Sequence, residues 1–143
     1  MGSLFGSVLV HLLPRGVGRA ITNRRCPKVY IPNAGFDPEM HGYTVAECAG
    51  LIVDMVRRDT GTDTPVCDIV QFVLVDTTNC EYCVPIDKVR IAELGIVLID
   101  VPLIDNDDVT TAAMINEGEF RGSAKRTYLS PQKLVEVLVS LGS

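Results

Sequence analysis

The chain has 143 residues, 47% of them apolar and 22% charged, with a net charge of −5. That make-up fits one globular domain with a real core and excludes a disordered tail. No apolar run approaches the ~18 residues that cross a bilayer. The acidic balance and the lack of tryptophan argue against a nucleic-acid partner.

Five cysteines, an odd number, and no basic stretch ahead of the first apolar run (8–13) point to a reducing, cytoplasmic setting. Charge is unevenly spread. Residues 1–36 hold five basic groups (Arg15, Arg19, Arg24, Arg25, Lys28) and no acid, whereas the rest holds eight basic and eighteen acidic groups. Such a segment can receive a small anion, or it can be a solvated helix face.

Gly2-Ser3-Leu4-Phe5-Gly6-Ser7 opens an apolar helical stretch. Glycines let backbone approach a ligand, hydroxyls at Ser3 and Ser7 donate, and a helix N-terminus favours anions. The segment reads as a phosphate cradle, or as an appended tag. Val29-Tyr30-Ile31, closed by Pro32, predicts a strand near 28–32. The loop that follows concentrates Asn33, Asp37, Glu39 and His41. It exceeds the usual two to six residues, roughly. Ligands of parallel α/β sheets bind at such carboxyl ends. The alternative is a polar turn held by Pro38 and Gly42. His41 has no Ser-His-Asp arrangement around it that the sequence can show.

Thr44 and Glu47 form a capping box for a helix to about Asp59, with Val45, Cys48, Ala49, Ile52, Met55 and Val56 on one face. Arg57 and Arg58 fall in the last turn, where the helix dipole favours cations. The run 69–75 reads as a strand covered on both faces. Cys80-x-x-Cys83 lacks the second pair that structural zinc needs, so ordinary thiols are expected, with metal or redox use the alternative. A short helix over 86–94 stops at Gly95, and a strand over 96–101 ends at Pro102. The acidic stretch 105–120 lacks an EF-hand pattern and reads as a solvated loop. Ser130 and Pro131 start a last helix with Leu134, Val135, Leu138 and Leu141 on its apolar side.

Alternating strands and helices predict a single α/β domain. Its expected form is a three-layer, Rossmann-like parallel sheet with helices on both faces. Only about three core strands are visible, so apolar surface is expected to remain open. Self-association, or membership of a longer chain, follows.

Four segments carry a family resemblance in the right order. GSLFGSVLVHLLPRGVGRAI resembles the G-S-L-(Y/F)-T-S…G-(I/V)-x-x-A-I segment of the 2-phospho-L-lactate transferase and gluconeogenesis-factor family, the CofD-like and YvcK-like proteins. PKVYIPNAGFDPEMHGYTVAEC is similar to that family's strand, Asn, Pro-x-Glu loop and helix entry. VPIDKVRIAELGIVLIDVPLID and LSPQKLVEVLVSL resemble its later strand and closing helix. Gly6 stands where the family has Thr, and the Arg-His pair before the last helix is represented only by Arg126, Thr127 and Tyr128.

The resemblance implies the C-terminal half of a CofD-like domain. It implies a ligand site of Gly2, Ser3, Leu4, Ser7, Asn33 and Glu39, with a phosphorylated small molecule or nucleotide-sugar as partner. The gluconeogenesis-factor branch implies a regulatory binding domain in carbon metabolism. The transferase branch implies transfer of a phosphorylated group, with a divalent metal such as Mg as cofactor. A degenerate scaffold that binds nothing is the third reading.

Overall fold

The computed structural model describes residues 3–35, 37–104 and 129–142. Gly2, the acidic stretch 105–120 and Arg126, Thr127 and Tyr128 lie outside the described residues. Three parallel strands, β1 (Val29–Tyr30), β2 (Phe72–Val75) and β3 (Val97–Asp100), form one sheet in the order β1-β2-β3. Val29 pairs with Phe72, and Phe72 with Val97. The helices are α1 (Val17–Thr22), α2 (Val45–Thr60), α3 (Lys88–Glu93) and α4 (Pro131–Leu141).

Side chains of a strand alternate between the two faces of a sheet. Val73 and Val75 join the main core with Val45, Ile52 and Val56 of α2 and Ile91 of α3. Leu74 points the other way and is also fully buried. Helices α2 and α3 touch each other, as two crossovers of the usual right hand require. The end of α4 lies elsewhere, where Leu141 and Gly142 face Pro27 and Phe72. The fold is the expected α/β arrangement with helices around a parallel sheet.

Helix α2 starts as its sequence dictates. The Thr44 hydroxyl accepts from the Glu47 N–H at 3.1 Å, and the Thr44 N–H donates to the Glu47 carboxylate at 2.7 Å. Short α1 cannot cap itself. Asp59 of α2 caps it instead, accepting from the N–H groups of Gly16 (2.8 Å) and Arg19 (3.2 Å). The two helices cross closely because Gly18 has no side chain. A Cβ there would stand 2.9 Å from the Val56 carbonyl oxygen. Asp87 caps α3 through the Arg90 N–H at 2.9 Å, and Gly95, at φ +77°, lets the chain leave it.

Three expectations need correction. Ile69 and Val70 are buried but not in a strand: the chain makes a tight turn at Val66–Asp68, and β2 begins at Phe72. An apolar run satisfies a core by either route, and periodicity does not separate them. The first helical stretch is broken into a π-type turn (Leu4–Val8), a 3-10 turn (Leu9–Leu12) and α1. On α4, Val135 is exposed, and the Ser130 hydroxyl makes no capping bond to the helix. The helix is tied down by backbone instead, the Ser130 N–H donating to the Leu103 carbonyl at 2.7 Å.

Candidate functional site

The loops leaving the carboxyl ends of β2 and β3 are joined by Asp76, the residue after β2. It is fully buried. Its carboxylate accepts from the Leu103 N–H at 2.7 Å, beyond β3, and from the Asn79 N–H and side-chain amide at 2.9–3.0 Å. Burial alone would raise its pKa, but these hydrogen bonds outweigh it and hold the carboxyl below its ordinary value. Beyond Asp76 the loop runs beside the β1 loop. The Gly35 N–H donates to the Glu81 carbonyl at 2.6 Å, and Gly35 and Tyr82 form a further parallel bridge. At the end of β3, Asp100 accepts from the N–H of Thr77 (2.9 Å) and from its hydroxyl (2.6 Å).

The N-terminal turn meets the β1 loop of this edge. The Ser3 hydroxyl donates to the Glu39 carboxylate and accepts from the Gly6 N–H at 3.0 Å. The Asn33 amide donates to Asp37 at 3.2 Å. Asp37 is buried and caps the short turn Pro38–Met40, accepting from the Glu39 N–H at 3.1 Å. Ser7 is exposed on the same N-terminal turn, and its carbonyl bonds the His11 ring at 2.8 Å.

Of the expected site residues, Ser3 and Glu39 therefore meet directly, and Asn33 is held in the same loop through Asp37. Ser7 stands one turn further along. Leu4 is 3% exposed and packs in the core, so it can offer a ligand only backbone. A Cβ on Gly6 would lie 3.1 Å from the Ser3 hydroxyl oxygen. A Thr at that position would press on the Ser3–Glu39 pair.

Two aspartates were harder to read from sequence. Asp37 is visible among the polar loop residues, but its role as the turn's cap depends on folding. Asp76 gives one signal, an acid that ends an apolar strand run.

Cys83 lies beside Asp37, its sulfur accepting from the Asp37 N–H at 3.4 Å. Its neighbour in the C-x-x-C pair, Cys80, is buried, and burial pushes its thiol up to about 11. Both are free thiols. Among the described residues no three His, Cys, Asp or Glu side chains gather as a metal cage.

The basic residues of the first segment do not gather at this cluster as a group. Arg19 pairs with Asp59 at 3.9 Å, on α2. Arg24, Arg25 and Lys28 lie before β1, at the amino ends of the strands, around a cleft of about 640 Å³. The surroundings of Ser3 and Asn33 are thus two carboxylates, Glu39 and Asp37, and not the acid-free neighbourhood that residues 1–36 suggest. Folding brings acids from just beyond that segment.

No family model matches the sequence, and no curated protein matches it. Among solved structures, the chain is similar to the X-ray crystal structure of protein BH3568 from Bacillus halodurans. The TM-score is 0.53 and the identity 25%, over 81% of this chain. The chain spans 41% of that protein. The likeness supports an α/β fold of this topology. No helix among the described residues is long and apolar enough to cross a membrane.

Proposed function

We propose that the chain is a binding domain for a phosphorylated, hydroxyl-rich small molecule such as a nucleotide-sugar, regulatory in role as in the gluconeogenesis factors. The supporting observation is the cluster at the carboxyl edge of the parallel sheet, where Ser3 is held by Glu39 and Gly6 and Asn33 by Asp37. A carboxylate and an amide suit the hydroxyls of a sugar, which donate and accept. The Ser7 hydroxyl and the N-terminal turn suit phosphate oxygens.

Glu39 favours a second reading, that of a transferase. A phosphate beside this carboxylate is repelled unless a cation lies between them. Mg takes hard oxygen ligands, often one or two carboxylates plus the substrate's own phosphates. Glu39 and Ser3 supply oxygens of that kind. When bound, Mg would neutralise phosphate charge, and Glu39 would hold it.

The test is a calorimetric titration of UDP-glucose, with and without Mg, into the wild type and a Ser3→Ala, Asn33→Ala variant. The expected result is at least tenfold weaker binding in the variant. Equal affinity in both would sink the proposal. Binding that needs Mg, with slow turnover of the nucleotide-sugar, would favour the transferase reading.

A further inference from the structure

The cleft at the amino ends of β1 and β2 takes no part in the site above. Its rim is the turn 24–28, and that turn is firmly held. The Lys28 ammonium donates to the carbonyls of Arg24 (2.7 Å) and Cys26 (3.4 Å). The Lys28 N–H donates to the Gln71 side chain at 3.1 Å, and the Gln71 and Phe72 N–H groups donate to the Lys28 carbonyl at 2.9 and 3.1 Å. Lysine 28 is thus spent on shaping the turn.

Arg24 and Arg25 are not spent in this way. Both are exposed, both line the cleft, and neither has a carboxylate partner among the described residues. Among the described residues, the one acid in the cleft wall is Asp68. Phe72, Pro27 and Leu141 give it apolar surface. At about 640 Å³ it is the size of a small-molecule site. A concentration of unpaired positive charge is unexpected on a chain of net charge −5. Guanidinium groups match phosphate oxygens in pairs, and two consecutive arginines on a fixed turn can address two adjacent phosphates.

We propose that this cleft is a second ligand site, for a small molecule with two adjacent phosphates on an apolar or ring-shaped body. The phosphates sit on Arg24 and Arg25, and the body lies against Phe72. The proposal does not depend on what occupies the opposite edge of the sheet.

The test uses ADP, inorganic pyrophosphate and adenosine as probes, read by calorimetry and by amide shifts. ADP is expected to bind more tightly than pyrophosphate, and adenosine weakly. Raising the salt concentration should weaken ADP. An Arg24→Glu, Arg25→Glu variant should lose at least tenfold in ADP affinity, while Arg15→Glu, which reverses an exposed arginine outside the cleft, should change it less than twofold. Amide shifts should centre on residues 24–28 and 71–72. Three results would each overturn the proposal: no ADP binding at millimolar concentration, equal affinity in the double variant, or shifts confined to residues 33–39. The third would leave the carboxyl-edge reading standing.

Discussion

At the carboxyl ends of the strands, Asp76 and Asp100 each accept hydrogen bonds that tie two loops together, Asp37 caps a turn within its own loop, and Glu39 takes the Ser3 hydroxyl. At the amino ends, Lys28 ties down a turn whose two arginines have no carboxylate among the described residues. The contrast separates two uses of charge. Where a charge is bonded by its own fold, it supplies shape. Where it is exposed on a rigid support, it remains free to meet a ligand. Glu39 lies between these cases, since it is exposed and has one hydroxyl partner.

The largest expected effect comes from breaking the carboxyl edge at its centre. Asp76→Ala leaves the Leu103 N–H and the Asn79 amide without their acceptor. Each bond to a charged group is worth about 1.5–3 kcal/mol, so a loss of about 3 kcal/mol is expected in urea unfolding. Arg24→Ala, Arg25→Ala at the other edge should cost less than about 0.5 kcal/mol, as exposed substitutions do. Similar losses in both would erase the contrast.

Next in size is the support beneath the N-terminal segment. Gly18→Ala puts a Cβ against the Val56 carbonyl, where the backbone must shift. A loss of about 1–3 kcal/mol is expected, with loosening of the turn that carries Ser3. An unchanged urea midpoint would show that α1 and α2 can separate freely.

Acid should act on one edge first. The folded Asp76 carboxyl titrates below its ordinary value. Its stabilisation is therefore complete above about pH 4 and is lost as pH falls through the lower, folded value. Asp76→Asn should be less stable at neutral pH and show a flatter acid limb below pH 4. A wild-type and variant limb of equal steepness would assign acid sensitivity to other groups.

The smallest effect is one of rate. Burial pushes the Cys48 and Cys80 thiols up to about 11, whereas Cys26, Cys67 and Cys83 are exposed. At pH 8 a maleimide should label the three exposed thiols quickly and the buried pair only after unfolding. Fast native labelling of Cys80 would mean that the carboxyl-edge loop opens readily.

Much of this fold was legible because its signals are local. The Thr44–Glu47 box, the apolar face of α2 and the Gly95 stop each act within a few residues, and each holds. The burial of Ile69 and Val70 was legible, but their turn was not, since hydrogen bonds from Lys28 and Gln71 decide where β2 starts. The candidate site was legible as residues and not as a charge environment. Ser3, Asn33 and Glu39 stood out by type and by the loop they occupy. That Arg24 and Arg25 go to the opposite edge follows from their place just before β1, but that Glu39 would meet Ser3 depends on packing between residues far apart in sequence.

The central claim is that the carboxyl edge receives a nucleotide-sugar, whatever diphosphate the basic edge also takes. Amide chemical shifts recorded while UDP-glucose is added test it most directly. The account predicts shifts at Ser3–Ser7, Asn33–Glu39 and Asp76–Tyr82, with loss of those shifts in the Ser3→Ala, Asn33→Ala variant. Shifts confined to residues 24–28 and 71–72 would contradict it and move the nucleotide-sugar to the arginine cleft.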